Sequence, residues 1–98
     1  MIIEFSERAV FQIEEIVRLI AVDKPGADRH WADAVRQSVI KLEDFPYIGR
    51  VVPEFSDEHI RELLHGEYRI VYRIDENVSR VVVISLYHPR RLMGFEDK

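Results

Sequence analysis

Tyr68-Arg69-Ile70-Val71-Tyr72-Arg73-Ile74 lies between Gly66-Glu67 and Asp75-Glu76-Asn77. Side chains in a strand point alternately to opposite faces, so this heptapeptide sorts itself. Tyr68, Ile70, Tyr72 and Ile74 form an amphipathic set suited to a covered face. Arg69, Val71 and Arg73 are predicted to face away, because a slip of one residue would bury both guanidinium groups. Gly66-Glu67 reads as a tight turn, which makes Ile60 to His65 the antiparallel partner. A hairpin closed there sets Glu62 beside Val71 and near both arginines. Downstream, Arg80 to His88 is a third strand whose run Val81-Val82-Val83-Ile84 predicts burial on both faces and a central place in the sheet. Pro89 stops it.

Upstream, the period changes. Ile2 to Phe5 reads as a short strand, and Ser6 is placed to cap a helix by accepting from an orphan N–H of its first turn. Phe5 and Val10 have the spacing of a hydrophobic staple. Ala9, Val10, Ile13, Ile16, Val17, Ile20 and Ala21 then recur at helical spacing, with Glu14, Glu15 and Arg18 elsewhere on the surface. Asp23-Lys24-Pro25-Gly26 breaks the helix. A second helix carries Trp31, Ala34, Val35, Ser38, Val39 and Leu42 on one stripe and stops before Phe45-Pro46. The short break predicts an antiparallel helix hairpin. Residues 44–58 hold Pro46, Gly49 and Pro53 and read as an irregular connection, long enough to suggest a functional role. The predicted class is therefore α+β in the order β-α-α-β-β-β, with the helix hairpin on one face of a small, mainly antiparallel sheet and the other face partly open.

Ninety-eight residues predict one domain, spanning 1–98, with an ordinary globular composition of 47% hydrophobic and 33% charged residues. No apolar run approaches the roughly 20 residues of a membrane span, so no membrane partner is expected. The chain has no cysteine, which removes disulfides and thiolate ligands and suits a reducing cytoplasm. The net charge is −4: residues 1–49 hold six Lys/Arg against nine Asp/Glu, and residues 50–98 hold eight against nine. A protein that tracks phosphate backbones usually carries a basic excess. Any nucleic-acid site would have to be a local patch of arginine, because only Lys24, Lys41 and Lys98 are lysines.

Taken together, Leu42 to Glu54 (LEDFPYIGRVVPE), Ile60 to Leu63 (IREL), Tyr68 to Ile74 (YRIVYRI), Tyr87 to Arg91 (YHPRR) and the opening Glu4 to Ala9 (EFSERA) resemble the RelE/ParE toxins of bacterial type II toxin–antitoxin systems. The resemblance runs through nearly the whole chain in the right order. It implies a growth-inhibiting toxin neutralised by a cognate antitoxin, in a heterodimer or heterotetramer that meets operator DNA only through the antitoxin. Two activities share this fold: ParE-like members poison DNA gyrase, and RelE-like members cleave mRNA on the ribosome.

Metal-free RNA cleavage needs a base, an acid and cationic stabilisation of the phosphorane. Under that reading the resemblance assigns Arg69 to the charge-stabilising role, with His88 as acid or base. The lysines that many RelE-like nucleases place before the second hairpin are missing. Phe95 lies where those nucleases often carry a tyrosine, and it has no hydroxyl. His-x-Arg-Arg after the last strand looks more like ParE members. The favoured expectation is thus a gyrase-binding toxin whose target- or antitoxin-binding surface includes Arg61, Arg69, Arg73, Tyr87, His88, Arg90, Arg91 and Phe95. A degenerate, non-toxic binding module is a third possibility.

Simpler roles exist for the same residues. Arg69 and Arg73 could be cross-strand partners of Glu62 or Glu67, His88 could close a strand with a structural hydrogen bond, and Arg90 and Arg91 could be a solvated exit. No metal or cofactor is expected: His30, His59, His65 and His88 are scattered without ligand spacing, and no glycine-rich phosphate loop or nucleophile elbow occurs.

Overall fold

A computed structural model of the chain describes residues 1–90. The elements are β1 (Ile2–Phe5), α1 (Glu7–Asp23), α2 (Ala27–Ile40) with a 3-10 turn over Lys41–Glu43, β2 (Arg50–Val51), β3 (Ile60–His65), β4 (Tyr68–Asp75) and β5 (Arg80–Tyr87). The sheet runs β1-β5-β4-β3-β2. β1 lies parallel to β5 and every other pairing is antiparallel. The α+β class and the order of the elements agree with the sequence reading. The exception is β2, two residues inside the stretch expected to be irregular, where Arg50 pairs with Glu62 and Val51 with Arg61.

α1 begins where the cap predicts. The Ala9 N–H donates to Ser6 Oγ at 3.0 Å, and the same hydroxyl donates to the Ile84 carbonyl at 2.8 Å. One side chain therefore satisfies a helix terminus and ties it to β5. Ser6→Ala is expected to lose both bonds and about 1–2 kcal/mol of stability, read as a lower urea midpoint at unchanged slope.

The core lies between the helices and one sheet face: Ala9, Ile16, Val35, Val39 and Leu42 pack with Ile70, Tyr72, Ile74, Val81, Val83 and Leu86. Alternation in β4 is as expected. Ile70, Tyr72 and Ile74 lie in the core, Tyr68 packs against it, and Arg73 is exposed on the other side. Val10 sits on the predicted stripe but is 42% exposed, as is its staple partner Phe5 at 40%. Gln12 takes the buried place instead.

β5 lies inside the sheet, between β1 and β4, but burial on both of its faces is incomplete: Val82 and Ile84 are only half-buried. The alternation of β5 breaks at Ile84. Val71 pairs with Ser85 and Tyr72 with Val83, so one extra residue bulges out of β5. β1 has already ended opposite, at Phe5–Val83. Gln12 fills the gap from α1, its Oε1 accepting from the Leu86 N–H at 2.7 Å and Ser85 Oγ at 3.1 Å. A side-chain amide thus takes over where the neighbouring strand runs out. No apolar periodicity could reveal it, because the selecting contact is a hydrogen bond.

Among the described residues no helix is long and apolar enough to cross a membrane.

Candidate functional site

The face of the sheet turned away from the helices carries Arg69, Val71 and Arg73, as the register requires. Its centre is an ion-paired chain. Glu62, on β3, is only 1% exposed. It accepts from Arg69 Nε at 2.7 Å through one oxygen and from Arg50 Nε at 2.5 Å through the other. A second Arg69 nitrogen also contacts Glu62, and Glu54 approaches Arg69 at 3.7 Å. The Arg69 guanidinium carbon stands 5.8 Å from the Tyr87 ring centroid, within cation–π range. Burial pushes the Glu62 carboxyl up, but the hydrogen bonds from Arg69 and Arg50 outweigh it and hold the group below its ordinary range. Burial pushes the Arg69 guanidinium down, but the bond to Glu62 together with the nearby charges of Tyr87, Glu62 and Glu54 outweighs it and raises the group above its ordinary value.

Arg73 is exposed and faces Asp75 at 3.7 Å. Arg61 lies on the helix-side register with Tyr72, where its donors go to backbone carbonyls: Glu58 at 2.8 Å, Gly49 at 3.0 Å and Tyr47 at 3.1 Å. Its guanidinium also stacks 4.9 Å from the Tyr47 ring. Arg61 therefore knits the 44–58 connection to the sheet. Tyr47 hydrogen-bonds Glu76, which, with a little desolvation, pushes the phenol up to about 12.

His88 is buried, and both ring nitrogens are engaged. Nε2 meets Glu67 at 2.7 Å, and Nδ1 accepts from the Arg90 N–H at 3.0 Å. The ring stands edge-on to Tyr68, which packs on Trp31 of α2. His88 therefore belongs to the helix side of the sheet and Arg69 to the open side. The two residues assigned together by the nuclease reading project from opposite faces. Arg90 is exposed at the turn; Arg91 and Phe95 lie outside the described residues. Among the described residues no group of His, Asp or Glu could hold a metal ion.

Arg50 and Glu54 complete the ion-paired chain, yet the sequence reading did not single them out. They lie in a stretch with no periodicity, and the only signal was Glu62, an acid in an apolar strand that needs a cation.

The family described as the ParE toxin of the type II toxin–antitoxin system parDE matches residues 3–93. The chain belongs to the ParE toxin family. Solved structures agree on the fold of this ParE-family toxin. A chain of the chromosomal ParDE toxin–antitoxin system of P. aeruginosa aligns at a TM-score of 0.74 and 13% identity, over 90% of this chain and 95% of that one. The isolated E. coli RelE toxin aligns at 0.66 and 17%, over 96% and 89%. A chain of the RelBE2 toxin–antitoxin complex of Mycobacterium tuberculosis aligns at 0.62 and 21%, over 89% and 95%. No curated protein sequence matches the ParE-family chain. At these identities the neighbours speak to the fold alone, and the ParE assignment rests on the sequence family.

Proposed function

We propose that this ParE-family toxin inhibits growth in the bacterial cytoplasm by binding a protein, DNA gyrase, and that a cognate antitoxin neutralises it and alone carries the pair to operator DNA. The observation that carries the reading is the engagement of Arg69. A nuclease needs a guanidinium free to meet a phosphorane, and this one is held by buried Glu62 and approached by Glu54. Placement of His88 on the opposite face removes a proton donor from its vicinity. The acidic balance of the chain points the same way.

Purified toxin should inhibit supercoiling by gyrase, and its induction without antitoxin should give filaments and DNA-damage signalling. Normal supercoiling at a large molar excess of toxin would refute the reading. New 5′ ends within reading frames, seen by primer extension, would replace it with mRNA cleavage. Adding the antitoxin should raise the toxin's melting temperature by mass action.

A further inference from the structure

Where the chain leaves β5, His88 is held from two sides. Its side chain is 8% exposed, and the ring stands edge-on to Tyr68 at 5.4 Å. Pro89 has no N–H, so Arg90 carries the first backbone donor after the histidine, and that donor goes to His88 Nδ1 at 3.0 Å. A backbone N–H cannot accept, so Nδ1 must present its lone pair. The proton of the neutral ring therefore sits on Nε2, which donates it to the Glu67 carboxylate at 2.7 Å. Both contacts can stand together only while the ring is neutral.

Histidine is the one side chain that ordinarily gains a proton between pH 5 and 8. A second proton can go only to Nδ1, where it confronts the Arg90 N–H, donor against donor. The bond to Arg90 is then lost. The Nε2–H bond to Glu67 survives and gains charge assistance. One contact thus holds the ring in both states while the other opens. A cavity of about 230 Å³, lined by Glu67, Pro89 and Arg90, gives the turn room to move. We infer that His88 is a pH-operated latch on the Pro89–Arg90 turn: the neutral ring fastens the turn and the charged ring releases it. Among the described residues, the titratable or charged groups that meet the ring are Glu67 from the β3–β4 turn, Tyr68 from β4 and Arg90 on its own exit. His65 of β3 reaches the cluster through Trp31 of α2, 6.4 Å away, and Trp31 carries no charge. The latch sets how Arg90, one of the residues expected to meet a partner, is presented. It operates whichever partner that is.

The test is an NMR titration of full-length, nitrogen-labelled toxin across the histidine range, from about pH 8 to about pH 5, at constant ionic strength. The Arg90 amide resonance is expected to move with the same midpoint as the His88 ring. Its protection against hydrogen exchange, relative to the intrinsic rate, should fall about fivefold, the loss usual for one hydrogen bond. In His88→Asn the side-chain oxygen replaces Nδ1 as acceptor and does not titrate, so the Arg90 amide should stay protected and flat with pH. His88→Phe should leave it unprotected throughout. Glu67→Gln still accepts from Nε2–H without a charge and should keep the transition, as should His65→Asn. An Arg90 amide that stays flat while the wild-type ring titrates overturns the latch. So does a ring that stays neutral to the acid end of the titration. A transition that persists in His88→Asn, or vanishes in His65→Asn, belongs to another group and equally overturns it. The wild-type titration decides the matter even where a variant fails to fold.

Discussion

Arg69→Ala is expected to lower the unfolding free energy by about 3–5 kcal/mol, because it strands a buried carboxylate. Glu62 is 1% exposed, and Arg69 donates to it through two nitrogens from a side chain only 17% exposed. Arg50, the other partner, is 62% exposed and screened by water, so Arg50→Ala should cost no more than about 1 kcal/mol. The double variant Arg69→Leu with Glu62→Leu should recover most of the loss, since a buried ion pair replaced by apolar groups of similar size is often near neutral. Chemical denaturation of wild type, Arg69→Leu, Glu62→Leu and this double variant gives the coupling directly.

Acid should show the same pair. The folded carboxyl of Glu62 titrates below its ordinary value, which is about 4.3 in an unfolded chain. Its contribution is therefore complete above that pH and is withdrawn as the pH falls through the lowered folded value. In Arg69→Ala the carboxyl loses its main partner and keeps its burial, so its folded value should rise. The deficit relative to wild type should then narrow on acidification. A constant deficit between pH 7 and 3 would mean that Glu62 is not the group left stranded. A non-toxic Arg69→Ala variant alone would therefore say nothing about catalysis, since misfolding accounts for it. The folded double variant is the informative one, and gyrase inhibition retained there would take Arg69 out of the effector surface.

Gly49→Ala should cost about 2–4 kcal/mol, at or just beyond the usual range for overpacking. A methyl group there would stand 2.6 Å from the Glu62 carbonyl oxygen and 2.6 Å from the Tyr72 hydroxyl. The carbonyl belongs to β3 and cannot swing aside. Tyr72 is wholly buried, donating to the Pro46 carbonyl at 2.6 Å and accepting from the Gly49 N–H at 3.0 Å. Burial raises this phenol above its ordinary pKa, consistent with a hydroxyl committed to the protein. Displacing it would also loosen Arg61, which donates to the Gly49 carbonyl. The Phe45–Arg50 segment should then detach locally, seen as faster hydrogen exchange there before any global change. Wild-type stability and exchange in Gly49→Ala would show that the clasp yields easily.

How far the sequence carries can be read from these same residues. The β3–β4 hairpin was legible because its two determinants are local. Gly66, at φ +61°, makes the turn, and the period of two after it decides which side chains share a face. Ser6 was legible for the same reason, since a cap is a contact across three residues. The pairing of Glu62 with Arg69 could be foreseen as one option, because the hairpin register fixes which residues lie opposite and diagonal. The same register sets Arg61 opposite Tyr72, on the face away from Arg69, but it does not give the partners of Arg61, which are carbonyls of the aperiodic 44–58 connection.

What the chain determined by itself was the run of elements, the alternation that turns Arg69 away from the helices, and membership of the ParE family, which its ordered motifs carry. Tertiary structure alone decided whether those arginines are available. It brought Arg50 and Glu54 from an aperiodic stretch onto the open face, placed Gln12 at the unpaired edge of β5, and separated His88 from Arg69. The physical reason is the range of the interactions. Periodicity and caps act between residues a few positions apart, whereas a buried carboxylate takes its cation from whichever segment the completed fold brings within 3 Å.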